Sequence, residues 1–295
     1  MATYDTSAPA ELLSGMRLAR QAIGRGDLVV IPTDTVYGVA ADAFDPKAVE
    51  RLLQAKGRER TSPPPVLIPG IPTLDALATD VPGPVRQLVA EFWPGGLTVI
   101  LHAQPSLQWD LGETRGTVAL RMPANRIALE LLSETGPLAV SSANLSGQPS
   151  ATTAADAEAM LGESVTVYLD GGQAGEAYEP IGERPGDTSS TIIDATSLSG
   201  EGGLLRIVRA GVISRERIAE VVGEELLAPA DGEEAAETVP VAPDAEATAV
   251  EDAVPDAASD ASADTPAADD VPAADDVPAA SARPTPDDGA DAAAS

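Results

Sequence analysis

Hydroxyl and carboxylate side chains follow a short apolar run near the start of the chain. The run covers residues 28–31, and Pro32 ends it because proline has no backbone N–H to give to a β-ladder. Thr33, Asp34 and Thr35 come directly afterwards. Ligands of open α/β sheets bind beyond strand ends, but short polar side chains also form turns by bonding their own backbone. The stretch therefore predicts either a binding site or a polar turn.

Four cations are clustered after this stretch, at Arg51, Lys56, Arg58 and Arg60. The first of them lies in a helix that is predicted to begin at the N-cap Asp45 and to end at Lys56. One cation is enough to complement the negative end of a helix. Three cations at and beyond that end, followed by a serine and three prolines, indicate a rigid clamp for phosphate or carboxylate groups.

Three later strand ends also carry hydroxyl or amide groups, and two cations with buried stems accompany them. These residues are Thr117, Ser141, Ser142, Asn144, Ser189 and Ser190, with Arg121 and Arg209 as the cations. Converging hydroxyls and cations suit a polyanionic ligand such as a nucleoside triphosphate. The sequence has neither a Walker loop nor a convincing G-x-G-x-x-G. The residues thus predict a phosphate or nucleotide site of an unusual kind.

Cysteine is absent from the 295 residues, and His102 is the one histidine. A thiol nucleophile, a cysteine-ligated metal and a His-rich metal site are therefore excluded, and a Ser-His-Asp triad would depend on His102. No apolar run approaches the roughly 18 residues that span a bilayer. The N-terminal residues do not have the pattern of a secretory signal, so a cytoplasmic protein is expected.

The net charge of −29 is unevenly distributed. From Glu224 onward, 20 acidic residues stand against Arg283, which leaves about −10 for the first 223 residues. Because proline, alanine and acids dominate the last part, residues 229–295 are predicted to be a disordered acidic tail and residues 1–228 a folded domain. Neither part has the net basic character of a generic nucleic-acid binder.

Short strands that alternate with helices predict an α/β domain. Helices are predicted over residues 8–24, 45–56, 73–78, 84–92, 127–133, 152–160 and 213–227. Strands are predicted over residues 28–31, 66–68, 97–101, 116–121, 137–140, 165–169, 189–194 and 204–208. Residues 173–186 are rich in glycine and glutamate and are predicted to be a mobile loop.

The chain resembles the YrdC/Sua5 family, the threonylcarbamoyl-AMP synthases, over about residues 26–213. Each motif alone is modest, but their order and distances together are specific. The motifs are Pro-Thr-Asp-Thr-Val-Tyr-Gly at 32–38, Lys-Gly-Arg at 56–58, Phe-Trp-Pro-Gly at 92–95, Val-Ala-Leu-Arg-Met-Pro at 118–123, Ser-Ala-Asn-Leu-Ser-Gly at 142–147, Ser-Thr-Ile-Ile-Asp at 190–194 and the stretch 205–211.

This resemblance implies a fold, a reaction and partners. The fold is a single YrdC-like catalytic domain with a twisted mixed α/β sheet and a concave ligand cavity. The reaction converts L-threonine, bicarbonate and ATP into threonylcarbamoyl-AMP and pyrophosphate, with Mg²⁺ held mainly by the ATP phosphates. The product would pass to a separate tRNA threonylcarbamoyltransferase that modifies adenosine 37. Neither stable nucleic-acid binding nor membrane binding is expected of this chain.

The same resemblance implies roles for individual residues. Lys56 and Arg58 would be catalytic and would hold the ATP phosphates, while Thr33, Arg121 and Ser190 would bind threonine. Such a transfer depends mainly on positioning and charge neutralisation, which suits a chain without cysteine. The implied nucleotide-binding residues are Arg58, Ser62, Thr117, Ser142, Asn144, Ser150 and Arg209.

The chain departs from the family pattern at three places. Many members have Pro-Leu-Ile-Val-His where residues 65–69 read Pro-Val-Leu-Ile-Pro, so a histidine that helps to bind threonine is missing, with Leu67 expected in its place. Ser141 stands where proline is usual. The extra C-terminal domain of the longer Sua5 branch is not expected, because the acidic tail follows instead. The contacts of threonine are the property most affected.

Two other functions remain compatible with the same fold. One is an RNA-binding or ribosome-assembly module, which the charge of the first 223 residues disfavours because such a module needs a basic face. The other is a carbamoyl transfer of the kind found in hydrogenase maturation. Enzymes of that kind carry zinc-finger and acylphosphatase-like segments, and the sequence shows neither pattern.

Overall fold

The computed structural model of the chain describes residues 1–179 and 188–229. Within these ranges the helices α1 to α7 are Pro9–Gly24, Pro46–Lys56, Ile71–Leu77, Gly83–Phe92, Arg126–Thr135, Ala154–Leu161 and Arg215–Val222. The strands β1 to β10 in the same ranges are Ala2–Asp5, Val29–Ile31, Gly38–Asp42, Val66–Leu67, Leu97–His102, Thr117–Arg121, Leu138–Ser142, Val167–Asp170, Thr191–Asp194 and Arg206–Arg209. The predicted α/β class is confirmed.

Local sequence signals explain where several elements begin and end. α2 begins after Asp45, whose side chain accepts a hydrogen bond from the backbone N–H of Lys47. It ends at Gly57, whose φ of 64° is readily adopted by glycine. α5 is capped in the same way by Asn125. These signals account for the agreement between most predicted and observed elements.

Three predictions about elements were incomplete or wrong. β1 and β3 were not predicted, because β1 is mostly exposed and the polar motif at residues 32–37 masks the start of β3. The last helix was predicted over residues 213–227 and is shorter. Gly223, with a φ of 89°, ends it, and a 3₁₀ turn at Glu224–Leu226 follows.

The strands of the described residues form one sheet in the order β1-β8-β2-β3-β7-β4-β6-β5-β9-β10. β1 and β2 both pair with β8 in parallel, and β4–β6 and β5–β9 are parallel as well. The remaining neighbours, including β2–β3 and β3–β7, are antiparallel. The sheet is therefore mixed, as the family resemblance implied.

Helices cover the two faces of the sheet unequally. On one face, α1 and α5 pack against Ile31, Val140 and Leu169 in an apolar cluster. On the opposite face, the other five helices pack against strand residues such as Val39 and Val99. The α1–α5 cluster contains no residue of β6, β5 or β9, so the described part of the chain leaves that half of the first face open.

Polar side chains lie on this open half of the sheet. Their placement follows from the alternation of side chains along a strand, which directs every second residue to the same face. In β5, Leu97 and Val99 belong to the apolar cluster on the opposite face, so Thr98 points to the open one. Arg121 ends β6 on the open side, and Ser190 stands just before β9. The open half thus forms a concave surface with hydroxyls and a cation at its strand ends.

The second described range ends at residue 229. There the backbone of Ala228 donates to Leu205, at 2.8 Å. Except for residue 229, the predicted disordered tail lies outside the described residues, as do residues 180–186 of the predicted mobile loop. Within the described ranges, no helix is both long and apolar enough to cross a bilayer.

Candidate active site

A pocket on the open half of the sheet encloses about 810 Å³, part of it open to solvent. Its apolar wall includes Val36, Leu67, Val140 and Ile192. Among the described residues, no carboxylate lines it. Its polar lining consists of Thr33, Thr35, Tyr37, Arg58, Ser62, Thr98, Arg121, Ser141, Ser142, Ser189, Ser190 and Arg209.

The stretch after β2 is both a polar turn and part of the pocket, so the two alternatives for it are not exclusive. The Thr33 hydroxyl donates to the Val36 carbonyl at 2.6 Å and accepts from the Thr35 and Val36 N–H groups at 3.2 and 3.3 Å. Both threonines are buried. The turn holds their hydroxyl oxygens 3.1 Å apart at the pocket wall.

Arg121 is buried and is held by three groups of the surrounding chain. Its Nε donates to the Gly95 carbonyl at 2.9 Å, and its Nη1 to the Thr35 hydroxyl at 2.9 Å. Its Nη2 lies 2.7 Å from Oδ1 of Asp34 in an ion pair. The guanidinium has five N–H groups, and the described contacts use three. The remaining ones are suited to an anionic ligand in the pocket.

Tyr178 approaches the same ion pair from the other side. Its hydroxyl donates to Oδ2 of Asp34 at 2.9 Å. Burial, and next the negative charge of Asp34, raise the pKa of the Tyr178 phenol to about 12. The hydroxyl therefore remains a donor throughout the physiological pH range. Tyr178 lies in the predicted mobile loop, and sequence patterns did not mark it as a site residue.

A second cluster of polar side chains lies where β9 begins. The Ser190 hydroxyl is 3.0 Å from the hydroxyl of Thr98. Arg209 on β10 donates from Nη2 to the Ser190 carbonyl at 2.7 Å and to its hydroxyl at 2.9 Å. Thr98 was not predicted as a site residue, although a polar residue inside the apolar run 97–101 was an available signal.

Arg58 extends from the loop after α2 to the C-terminal end of β7. Its Nη1 donates to the Ser141 hydroxyl at 3.3 Å. Ser62 lies on the same pocket wall, beside the proline run. The predicted cations Arg58, Arg121 and Arg209 thus line one pocket. Arg60 and Arg51 do not, since Arg60 pairs with exposed Asp110 and Arg51 bonds the Gly26 carbonyl.

Lys56 is buried below the pocket and does not line it. Its ammonium donates to the carbonyls of Ser142 and Asn144, both at 2.6 Å, and to Oδ1 of Asn144 at 2.8 Å. Asn144 is fully buried, and its amide nitrogen donates to the Gln148 carbonyl at 2.5 Å. Through these hydrogen bonds, Lys56 holds the loop at residues 142–148 in place. Its implied contact with phosphate remains a prediction.

A second depression continues along the open face and shares Pro63 with the first pocket. It encloses about 500 Å³ and is lined by Ile100, Ala119 and Asp194, among others. Thr117 lines this depression and not the first pocket, and its hydroxyl donates to the Thr114 carbonyl at 2.7 Å.

Three predicted site residues, Lys56, Asn144 and Ser150, are not among the described residues that line either depression. Ser150 is partly buried. His102 is exposed at the end of β5, and its Nε2 lies 3.2 Å from the Thr196 carbonyl. Leu67, by contrast, does line the first pocket and stands in register with Arg121 on the neighbouring strand. Leu67 thus contributes an apolar side chain to the pocket wall beside Arg121.

The fold and the pocket define a class of protein: an α/β domain whose half-open sheet presents arginines and hydroxyls to an anionic ligand. The family model Sua5_yciO_yrdC, described as telomere recombination, matches residues 21–211. The chain belongs to this family.

Relatives from distant organisms share most of the folded part. A protein of Mycobacterium tuberculosis named "Putative threonylcarbamoyl-AMP synthase" is 48% identical over 75% of this chain and 95% of its own length. The threonylcarbamoyl-AMP synthase of Pyrococcus abyssi is 36% identical over 73% of this chain and 59% of its own length. The crystal structure of P. abyssi Sua5 complexed with L-threonine is 33% identical, with a TM-score of 0.66, over 78% of this chain and 63% of the solved chain.

Proposed function

We propose that this chain is an L-threonylcarbamoyladenylate synthase that makes threonylcarbamoyl-AMP and pyrophosphate from L-threonine, bicarbonate and ATP. The observation that carries the proposal is the placement of three arginines and a ring of hydroxyls in one pocket of a chain that belongs to this family. Relatives bearing that name occur in bacteria, archaea and eukaryotes. The P. abyssi structure was solved with L-threonine bound.

Arg121 is the group that would bind the threonine carboxylate. Its guanidinium is buried at the pocket wall, and a carboxylate can take the N–H groups that the surrounding chain leaves available. Thr33 and Ser190, which also line the pocket, would supply hydroxyls for the rest of the amino acid. The threonine amine would then point away from Arg121 and into the pocket.

The chemistry needs positioning and charge neutralisation. The threonine amine condenses with bicarbonate to a carbamate and water, and a carbamate oxygen then attacks the α-phosphorus of ATP. The bond from that phosphorus to the β-phosphate bridge breaks, and pyrophosphate leaves with its electron pair. Arg58 and Arg209, both at the pocket wall, would neutralise the charge that develops on the phosphates. No side chain is required as a nucleophile.

Mg²⁺ is part of the proposal as a companion of ATP. The described pocket lining offers hydroxyls and cations, and no group of three or more acidic or histidine side chains is available to hold an ion among the described residues. This donor set fits a Mg²⁺ whose main ligands are phosphate oxygens. The bound ion would neutralise phosphate charge, and the arginines would position the same phosphates.

The two adjoining depressions suit a ligand with two parts. Threonine and the phosphates would occupy the first pocket, and the nucleoside the second, where Thr117 and Asp194 offer polar contacts and Ile100 and Ala119 an apolar surface. The chain would then be a nucleotidyltransferase, would work in the cytoplasm and would pass its product to a separate tRNA threonylcarbamoyltransferase.

The test is pyrophosphate release by the purified full chain with ATP, Mg²⁺ and bicarbonate, with and without L-threonine. We expect release that depends on threonine and that falls at least about 100-fold in Arg58→Ala. Arg51→Ala is the matched control, because Arg51 lies close in sequence but outside the pocket. It should leave the rate unchanged.

Folded protein that binds ATP but releases no pyrophosphate would contradict the proposal. The second candidate, an RNA-binding module, would then be tested by titration with tRNA. The acidic balance of the first 223 residues argues against it, since about −10 of net charge opposes phosphate backbones.

A further inference from the structure

The ion pair between Asp34 and Arg121 is monodentate in the described contacts. Oδ1 of Asp34 accepts from Arg121 Nη2 at 2.7 Å and also from the backbone N–H of Ala124 at 2.8 Å. Oδ2 accepts from the Tyr178 hydroxyl at 2.9 Å. Arginine and carboxylate commonly pair through two parallel N–H···O bonds when both oxygens are available. Tyr178 thus holds Oδ2, the oxygen that a second, parallel bond to Arg121 would use, and so fixes the orientation of the carboxylate.

The position of Tyr178 is fixed by the chain that surrounds it. Its hydroxyl packs above Gly96, where a Cβ would lie 3.3 Å from the hydroxyl oxygen and close to Thr35 and Val212 as well. The chain on both sides of Tyr178 is hydrogen-bonded: before it, the Ala174 N–H donates to the Thr152 carbonyl at 2.8 Å, and after it, the Thr188 hydroxyl donates to the Thr35 carbonyl at 2.6 Å. The hydroxyl is therefore held at Asp34 by packing.

We propose that Tyr178 is a positioning residue for the substrate carboxylate: by holding one oxygen of Asp34, it keeps that carboxylate from pairing with Arg121 through both oxygens and so reserves N–H groups of Arg121 for the ligand. The inference deepens the proposed function, on which the identity of the ligand as L-threonine rests. Tyr178 itself is not among the described residues that line the pocket.

The geometry gives a specific consequence for substrate binding. When the tyrosine hydroxyl is removed, the Asp34 carboxylate can turn and take a second N–H of Arg121. That N–H is then lost to the ligand, and an internal carboxylate competes with the carboxylate of threonine. Binding of ATP, which depends on Arg58 and Arg209 in this assignment, should not change. A role that only stabilises the fold would weaken both ligands or neither.

The first experiment compares Tyr178→Phe with wild type by calorimetric titration of L-threonine and, separately, of ATP with Mg²⁺. We expect the dissociation constant of threonine to rise at least about tenfold, the size expected for the loss of one hydrogen bond to a charged group. The constant for ATP and the kcat at saturating threonine should stay within about twofold of wild type.

Tyr168→Phe is the matched control. Its hydroxyl is also hydrogen-bonded, to the Gly162 carbonyl at 2.7 Å, and its ring is fully buried, but it lies outside the pocket lining. It should leave both dissociation constants unchanged. Equal behaviour of Tyr178→Phe and Tyr168→Phe toward threonine would overturn the inference.

A double-mutant cycle tests whether Tyr178 acts through Asp34. Asp34→Asn keeps one oxygen acceptor for Arg121 but cannot form the two-oxygen pair. Tyr178→Phe should therefore have little further effect on threonine binding in the Asp34→Asn background. Additive effects would contradict the inference.

The results for wild type distinguish a failure of the proposed function from a failure of the role of Tyr178. If wild-type protein neither binds L-threonine nor releases pyrophosphate, the proposed function has failed. If it binds threonine and Tyr178→Phe binds equally well, the function stands and the role of Tyr178 is wrong.

Discussion

The guanidinium of Arg121 and the carboxylate of Asp34 form a buried ion pair, 2.7 Å apart, whose side chains are 7% and 6% exposed. The pair joins the end of β6 to the turn after β2, two segments far apart in the chain. Asp34 is satisfied by Arg121, Ala124 and Tyr178 together. The pair therefore connects two segments of the pocket wall and at the same time leaves a cation at the pocket.

Arg121→Ala should destabilise the fold as well as remove activity. The substitution leaves the buried carboxylate of Asp34 without its cation, which costs about 3–5 kcal/mol in free energy of unfolding. Urea denaturation measures this loss. Arg86→Ala is the control, because Arg86 pairs with Asp75 where both side chains are exposed, and it should cost at most about 1 kcal/mol. Equal losses in the two variants would contradict the structural role of the buried pair.

Lys56→Met should act through the loop at 142–148. The variant keeps roughly the length of the side chain but removes three hydrogen bonds from a buried ammonium. The Ser142 carbonyl and Oδ1 of Asn144 keep a bond each, from the Asn144 N–H and the Ser142 hydroxyl, whereas the Asn144 carbonyl loses the ammonium donor. We expect the free energy of unfolding to fall by about 3 kcal/mol and pyrophosphate release to fall with it. Lys47→Met, on the exposed side of α2, should change stability by less than about 0.5 kcal/mol. Loss of activity at full stability would indicate direct phosphate binding by Lys56 instead.

Ala119→Leu should distinguish the ligands that bind in the two depressions of the open face. Ala119 lines the second depression and lies on the same strand as Arg121. A larger side chain there would fill the space that we assign to the nucleoside. The dissociation constant of ATP should rise at least about tenfold, since a steric clash in a pocket costs over 1 kcal/mol. Threonine binding, measured by calorimetry without ATP, should not change. Ala10→Leu, at an exposed position of α1, is the control and should leave ATP binding unchanged. Unchanged ATP affinity in Ala119→Leu would place the nucleoside elsewhere.

Tyr178 should ionise late, and its ionisation should weaken the fold. The folded state keeps the phenol proton up to a pKa of about 12, whereas an unfolded chain releases it near 10. Between these values the unfolded state binds fewer protons, so the free energy of unfolding falls as the pH rises. The fall between pH 10 and 12 should be smaller in Tyr178→Phe, as measured by denaturation at each pH. The difference in tyrosinate absorbance between wild type and variant should have its midpoint near 12.

Local signals were sufficient for most of the elements and for part of the site. Pro32 ends β2, Asp45 and Gly57 bound α2, and these depend on backbone chemistry that a residue carries with it. Most of the predicted site residues line one pocket: Thr33, Arg58, Ser62, Arg121, Ser142, Ser190 and Arg209. Lys56, Thr117, Asn144 and Ser150 do not line it. Thr98 escaped prediction because its orientation depends on which face of β5 is covered by helices.

The sequence by itself determined the α/β class, the boundaries set by proline, glycine and N-cap residues, and the absence of thiol chemistry, because each follows from residue type and local spacing. The tertiary structure alone decided which side of the sheet stays open, that Lys56 is turned inward to hold a loop, and that Tyr178 meets Asp34 across 144 positions of chain. Such contacts depend on how strands from distant segments are ordered in the sheet. Contacts between distant segments leave no local pattern in the sequence, so they cannot be predicted from the spacing of residues in a single chain.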